Sequence, residues 1–273
     1  MASYFSRPTW ERTNGFVAKQ PHGLAYVYLA KGGTRDIVLS GGSGLTVNFN
    51  DYQSASARAS CVESRAASTQ YRFFTLSGRT LGSCMLEARS SDGRVQDFVQ
   101  VIVDEPISWG AKVSHPFKAK VVEICARQKI VPDYLMACMA FETGRTFSPS
   151  IKNTTSGAVG LIQFMSATAA VLHTNSGVLA TLSAVAQLDY VEQYLAIRIR
   201  SYGFLRSLED VYMSILWPKA IGQPDTYVLF DSGAAYRQNA GLDLDKDGAV
   251  TKWEATNGVR KLFWEGQQST LYG

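Results

Sequence analysis

Residues 132–142 read Pro132-Asp133-Tyr134-Leu135-Met136-Ala137-Cys138-Met139-Ala140-Phe141-Glu142, and this stretch decides how the second half of the chain folds. Pro132 and Asp133 suit the start of a helix. The apolar face then passes through Leu135 and Met139, and Glu142 falls three residues later on that face. A carboxylate so placed points inward. Burial disfavours its charged form and raises its pKa, the condition a general acid needs to hold a proton near neutral pH. Periodicity alone favours a plainer alternative, in which the helix has ended and Glu142 turns to solvent or pairs with Arg145.

Outward from this segment the helical pattern continues. Pro116 fits a first helical turn, and Phe117, Val121, Ile124 and Cys125 recur at helical spacing through Ile130. Further helices are expected over residues 166–173, 182–202, 208–216 and 254–264, with no strand among them. Upstream the pattern changes. From about residue 24 to residue 103 short segments rich in Val, Leu, Phe and Tyr alternate with Gly-Gly, Asn-Asp and Ser-Asp-Gly turns. Ser91-Asp92-Gly93 is a hairpin turn in front of the β-branched run 96–103. The expected architecture is an α+β, multidomain chain. It comprises an N-terminal extension (1–22), a small antiparallel β-sandwich (23–104), a linker (105–114) around Pro106 and Gly110, and a mostly α-helical domain (115–273).

A chain of 273 residues accommodates two compact domains, and its composition is that of an ordinary globular protein. The net charge of +4 is spread along the sequence without a basic stripe, which argues against nucleic acid as a partner. No apolar run approaches the roughly 20 residues of a transmembrane helix, and the first residues lack the apolar core of a secretory signal. The expectation is therefore synthesis in the cytoplasm. Cys61, Cys84, Cys125 and Cys138 have neither CxxC spacing nor a histidine cluster, so no zinc site is expected. Cys61 and Cys84 suit a bridge between neighbouring strands, yet buried free thiols are the expected state.

The stretch FETGRTFSPSIKNTTSGAVGLIQFMSATA (141–169) resembles the signature of soluble lytic transglycosylases. Glu142 with Thr143 matches that family's acid and following hydroxyl residue, and Gly160-Leu161-Ile162-Gln163-Phe164 with Thr168-Ala169 matches its second motif. The resemblance extends more weakly from about residue 115 to about residue 240. It implies a lysozyme-like catalytic domain that cleaves the glycan strands of bacterial peptidoglycan, with Glu142 as catalytic acid and then base and 1,6-anhydro-sugar products. It further implies substrate contacts from Gly160, Gln163 and Phe164, and for Thr143 a hydrogen bond to the substrate or to the catalytic carboxylate, the plainer alternative being a cap on local backbone groups. Tyr190, Tyr194, Tyr212 and Tyr236 suit a sugar-binding cleft, because aromatic faces pack on sugar rings. The family's Tyr-Asn-Ala-Gly motif is matched only at Tyr212, where Met213 replaces the asparagine. No acidic residue lies between Glu142 and Asp189, which disfavours a two-carboxylate hydrolase. Asp189, Glu192 or Asp210 folding into the cleft would restore lysozyme-type hydrolysis.

The segments 217–230 and 236–248 look like the variant found in phage-associated and secretion-associated wall-degrading proteins. That likeness implies a phage lysin or an injected effector acting in the periplasm or on the wall, with a phage or secretion apparatus or an immunity protein as partner. The spacing of VLSGGSGLTVNF (38–49) and CMLEARSSDGRVQDFVQVIV (84–103) resembles bacterial immunoglobulin-like domains, modules that bind or space.

Residues 243–254 match a calcium-binding EF-hand loop. Asp243, Asp245 and Asp247 offer hard oxygen ligands, Gly248 makes the tight turn and Ala249 offers its carbonyl. Thr251 acts through water, and Glu254 closes the sphere in bidentate fashion. One loop without a partner loop points to a structural Ca2+ rather than a sensor.

Overall fold

The computed structural model describes residues 17–19, 25–40, 44–49, 58–65 and 71–273. The chain divides into two compact units, one ending at Pro106 and the other running from Ile107 to Gly273. Together they form a mixed α+β protein. The expected N-terminal extension lies outside the described residues except for 17–19.

The first unit is built of strands β1 (Val17–Lys19), β2 (Ala25–Ala30), β3 (Thr34–Ser40), β4 (Thr46–Phe49), β5 (Ala59–Arg65), β6 (Tyr71–Gly78), β7 (Gly82–Arg89) and β8 (Val95–Asp104). They form a five-stranded sheet in the order β1-β2-β8-β7-β4 and a three-stranded sheet in the order β3-β6-β5. Side chains two apart on a strand share a face. Val99, Val101 and Val103 of β8 therefore join Leu86 and Ala88 of β7 and Ile37, Leu39, Phe74 and Leu76 of the second sheet in one core. The β7–β8 hairpin closes where Gly93 N donates to Ser90 O at 2.8 Å.

Two expectations fail here. The sheets are not wholly antiparallel, since β2 runs parallel to β8 with Val27 opposite Val101. The turn at residues 31–33, with Gly32 at φ 81°, sends the chain to the other sheet, so β2 lies beside the last strand instead of its successor. Residues 17–19, assigned to the extension, form an edge strand on β2.

The second unit contains α1 (His115–Gln128), α2 (Pro132–Glu142), α3 (Ser166–Val171), α4 (Ser176–Thr181), α5 (Ala184–Tyr202), α6 (Leu208–Leu216), α7 (Gly233–Asn239) and α8 (Lys252–Gly266). A short pair, β9 (Val228–Phe230) and β10 (Val250–Thr251), interrupts the helices, although no strand was expected there. α2 is the central element and packs against α1, α6 and α8. Leu135 through Ala140 are all fully buried, so α2 has no polar face in its middle turns. Such a helix is held by neighbours on every side, each buried Leu or Met contributing roughly 1.5–3 kcal/mol.

The segment expected as a linker belongs largely to this unit. Ile107, Ser108 and Trp109 are buried, and the Trp109 indole donates to Leu262 O at 2.9 Å. Ile107 and Gly273 exchange backbone hydrogen bonds at 3.1 and 3.2 Å. A Pro and a Gly resemble a linker in sequence, but the tryptophan between them fills the space beside α8.

All four cysteines are free thiols. Cys61 and Cys84 lie on strands of different sheets rather than on neighbouring strands. Burial pushes Cys61 and Cys125 up to about 12 and Cys84 up to about 11, so these sulfurs are protonated at neutral pH and suit neither metal binding nor nucleophilic attack.

Candidate active site

Glu142 is the last residue of α2, and its side chain is half-buried. Its surroundings exclude enough water that burial pushes its pKa up to about 7. The negative end of the helix dipole acts in the same direction. Among the described residues Glu142 has neither an ion pair nor a hydrogen bond. Arg145, the cation nearest in sequence, is turned away and bonded to Glu265 through Nε at 2.8 Å and Nη2 at 2.7 Å. Because α2 is enclosed on all sides, the inward setting of Glu142 comes from the position of the helix end, not from an apolar stripe.

Three side chains share this environment. The charge of Glu142 is felt by Cys138, Tyr194 and Tyr212. Burial raises the pKa of both phenols. Tyr212 packs edge-on against Phe141, with ring centroids 5.5 Å apart, and its hydroxyl has no hydrogen bond among the described residues. Tyr194 is committed differently, since its hydroxyl donates to Ser214 O at 2.5 Å and its ring meets Phe164.

The remaining residues of the two motifs build the loop beside the site. Thr143 is fully buried, and its hydroxyl donates to Met139 O at 2.6 Å and accepts from Phe147 N at 3.0 Å. It therefore caps the end of α2 and does not reach a substrate, contrary to the expectation. Phe164 is likewise a core residue, 1% exposed, not a sugar contact. Gly160 has φ 83°, and a Cβ there would fall 2.2 Å from Gln187 Oε1. The close approach that requires this glycine is to Gln187, not to a polymer. Gln163 folds over its own loop, its Nε2 donating to Gly160 O at 3.1 Å and Ile151 O at 3.4 Å, which leaves Oε1 as an acceptor. Tyr190 lies half-buried against the helical core.

Gln187 was not singled out from the sequence. It is fully buried, accepts from Leu161 N at 2.7 Å and donates to Leu179 O at 2.8 Å and Pro149 O at 2.9 Å. It thereby ties the motif loop to α4 and α5. The available signal was a polar residue within the apolar stripe of Ala184, Leu188 and Val191.

The acids named from the sequence as partners for Glu142 in hydrolysis, Asp189, Glu192 and Asp210, are all paired. Asp189 meets Lys120 at 2.7 Å, Glu192 meets Arg127 at 2.7 Å, and Asp210 meets Lys252 at 2.7 Å within the protein. A cavity of about 560 Å³ lies between the end of α5 and residues 221–225, and Glu142 does not line it.

The acidic loop is ordered by its own backbone. Carboxylate oxygens of Asp243, Asp245 and Asp247 lie within 4.8 Å of one another and form a group that could hold a metal ion. Asp243 accepts from Lys246 N at 2.7 Å and Gly248 N at 3.1 Å, with Gly248 at φ 93°. Glu254 turns back over the loop to accept from Leu244 N at 3.0 Å and Thr251 N at 2.9 Å, while the Thr251 hydroxyl caps α8. The Tyr236 hydroxyl donates to Asp243 at 2.7 Å, so this tyrosine serves the acidic loop and not a sugar cleft. Val250, next to the Ala249 carbonyl, is buried and paired to Phe230.

No family model matches the chain, and no curated protein matches it. Among solved structures, the solution structure of amebosin is similar at a TM-score of 0.22 and 14% identity, over 29% of this chain and 88% of that one. The crystal structure of domains 4 and 5 of the S-layer protein SbsC is similar at a TM-score of 0.22 and 18% identity, over 34% of this chain and 46% of that one. At these scores neither similarity carries an argument about fold or function.

Proposed function

We propose that the helical unit is a lysozyme-like catalytic domain of the lytic transglycosylase type, which cleaves the β-1,4 bond between MurNAc and GlcNAc in bacterial peptidoglycan. The observation that carries this reading is the carboxyl of Glu142, half-buried, without a cation, and poised by burial at about 7. Such a group holds its proton until a leaving oxygen needs it. Glu142 donates that proton to the glycosidic oxygen as the bond to the anomeric carbon breaks, and the sugar passes through an oxocarbenium-like state. The resulting carboxylate accepts the proton of the sugar's own 6-hydroxyl as that oxygen attacks the anomeric carbon, which closes the 1,6-anhydro ring and restores the acid. In this reading the buried Tyr212, which shares the surroundings of Glu142, orients the carboxyl, and Gln163 Oε1 accepts from a substrate hydroxyl or amide. The pairing of Asp189, Glu192 and Asp210 with cations favours this route over hydrolysis, which needs a second free carboxylate to activate water.

Calcium fits the acidic loop by its donor set. Asp243, Asp245, Asp247, the Ala249 carbonyl and Glu254 would hold it, with Thr251 acting through water, and the ion would neutralise the gathered carboxylates in a structural role. The β unit is an immunoglobulin-like module that binds or spaces the enzyme on the wall. Delivery is by release during phage lysis or by injection.

The test is mass spectrometry of soluble products from purified peptidoglycan, with Glu142→Gln in parallel. Anhydro ends that vanish in the variant are expected. Reducing ends would indicate hydrolysis, and no product from folded, calcium-loaded protein would leave a wall-binding or structural role.

A further inference from the structure

The cavity of about 560 Å³ is walled by the end of α5, the start of α6, residues 221–225 and Lys252. Two of its wall residues form a buried ion pair. The side chains of Lys252 and Asp210 are 3% and 7% exposed, and Lys252 Nζ donates to Asp210 Oδ1 at 2.7 Å. Lys252 also donates to Gln223 O at 2.8 Å, while Asp210 accepts from Gly222 N at 2.9 Å and Arg206 N at 3.2 Å. An ammonium has three protons and two are taken, so one N–H remains for a group inside the cavity. A buried ion pair adds little stability over an apolar pair of the same size. Set in a cavity wall, this one supplies a fixed donor.

The rim adds charge and aromatic surface. Tyr202 and Phe204 expose 42% and 51% of their surface, large for aromatics beside a concave site. Lys129 Nζ lies 5.6 Å from the Phe204 ring centroid. The side chains of Lys129, Arg206 and Asp225 are exposed and have no ion pair among the described residues. Glu209, the acid next to Asp210 on α6, is taken by Arg260 at 3.2 Å. With the ion pair neutral, the two cations and one anion of the rim leave a single net positive charge.

We propose that this cavity binds a polyol phosphate, a monoanionic phosphodiester whose neighbouring carbons carry hydroxyls, as in a glycerol-phosphate unit. Phosphate oxygens accept from the Arg206 guanidinium and from the remaining Lys252 proton. Hydroxyls donate to Asp225, and the carbon chain lies against Tyr202 and Phe204. One negative charge matches the rim. The inference is independent of the glycan-cleaving reading, since Glu142 does not line the cavity. The volume lies within the ordinary range for small-ligand sites. Inorganic phosphate would leave the aromatic faces bare, a neutral polyol would leave the net charge unmatched, and a dense polyanion would be repelled by Asp225. The same unit occurs as a phospholipid headgroup and as a soluble or polymeric polyol phosphate, two sources that experiment separates.

The experiment is calorimetric titration of the full chain with glycerophosphoglycerol, with inorganic phosphate and with glycerol, followed by cosedimentation with phosphatidylglycerol or phosphatidylcholine vesicles. Saturable binding of the diester is expected, at least tenfold tighter than that of phosphate or glycerol. Arg206→Ala and Phe204→Ala each weaken it at least tenfold while the melting curves stay unchanged. Asp225→Ala removes a hydroxyl acceptor and a negative charge together, so it weakens the diester and tightens phosphate, whereas a site of charge alone would tighten both. Cosedimentation with phosphatidylglycerol vesicles that the free diester competes away assigns the site to a headgroup. Diester binding without vesicle binding assigns it to a soluble or polymeric source. No diester binding by the folded chain, equal affinity for phosphate and diester, or diester binding indifferent to Arg206 and Phe204 would each overturn the proposal.

Discussion

Arg145 and Glu265 form a bidentate ion pair, at 2.8 and 2.7 Å, only three residues beyond Glu142. The pair occupies the cation nearest in sequence to Glu142, whose own shift comes from burial. Both partners touch water, so its direct worth to stability is under about 1 kcal/mol.

Glu265→Ala frees the Arg145 guanidinium to approach Glu142, and an added positive charge favours the carboxylate. The alkaline limb of the pH–rate profile, set by loss of the Glu142 proton, is expected to move down by roughly one pH unit with little change in melting temperature. A limb that stays in place would show that Arg145 has no access to the site.

Glu142→Gln is expected to abolish turnover and to stabilise the fold at alkaline pH. Burial holds the carboxyl at about 7 in the folded chain, against 4.5 for the same group in water. Between these values the folded state binds more protons than the unfolded state, so stability falls as pH rises through that window and levels off above it. With partial contact to water the cost is about 2 kcal/mol. Urea titrations should therefore give Glu142→Gln an advantage of that size at pH 8, closing toward pH 4.5. Equal stability at both extremes would mean that burial does not hold the proton.

Calcium at a hundred times its Kd should stabilise by about 2.7 kcal/mol, or roughly 5–10 °C in Tm for a domain of this size. Asp245→Asn, at an exposed position, should remove the shift while leaving the metal-free melting curve unchanged. Superimposable curves in calcium and in chelator would eliminate the structural role of the ion.

Gly160→Ala places a methyl 2.2 Å from Gln187 Oε1 at φ 83°, a combination expected to cost about 2 kcal/mol or more. Gln187→Leu leaves Leu161 N, Pro149 O and Leu179 O without this partner and should cost a similar amount. Limited proteolysis should then open residues 149–164 in both variants. Wild-type resistance there would mean that the loop holds without the amide.

Asp210→Ala strands the Lys252 ammonium, whose side chain is 3% exposed, and should destabilise by about 3–5 kcal/mol. Asp210→Leu combined with Lys252→Met should recover much of that loss, because no charge is then left buried alone. Denaturant midpoints of the single and double variants check both statements.

The sequence by itself determined the features whose cause is local. Period and punctuation placed the helix starts at Pro116 and Pro132 and marked residues 208–216 as a helix, and Ser91-Asp92-Gly93 marked the β7–β8 hairpin. Oxygen-bearing residues at fixed intervals marked the acidic loop, because a tight loop gathers its donors through its own backbone turns. Tertiary structure alone decided the partners. Trp109 reads as part of a linker until α8 is beside it, and β2, expected in an antiparallel sandwich, runs parallel to β8. Gly160 and Phe164 carry a sequence motif, but what each touches depends on Gln187 and Tyr194, both on α5. The environment of Glu142 has the same origin. Desolvation is a sum over neighbours distant in sequence, and the partner that Arg145 takes, Glu265, stands 120 positions beyond it.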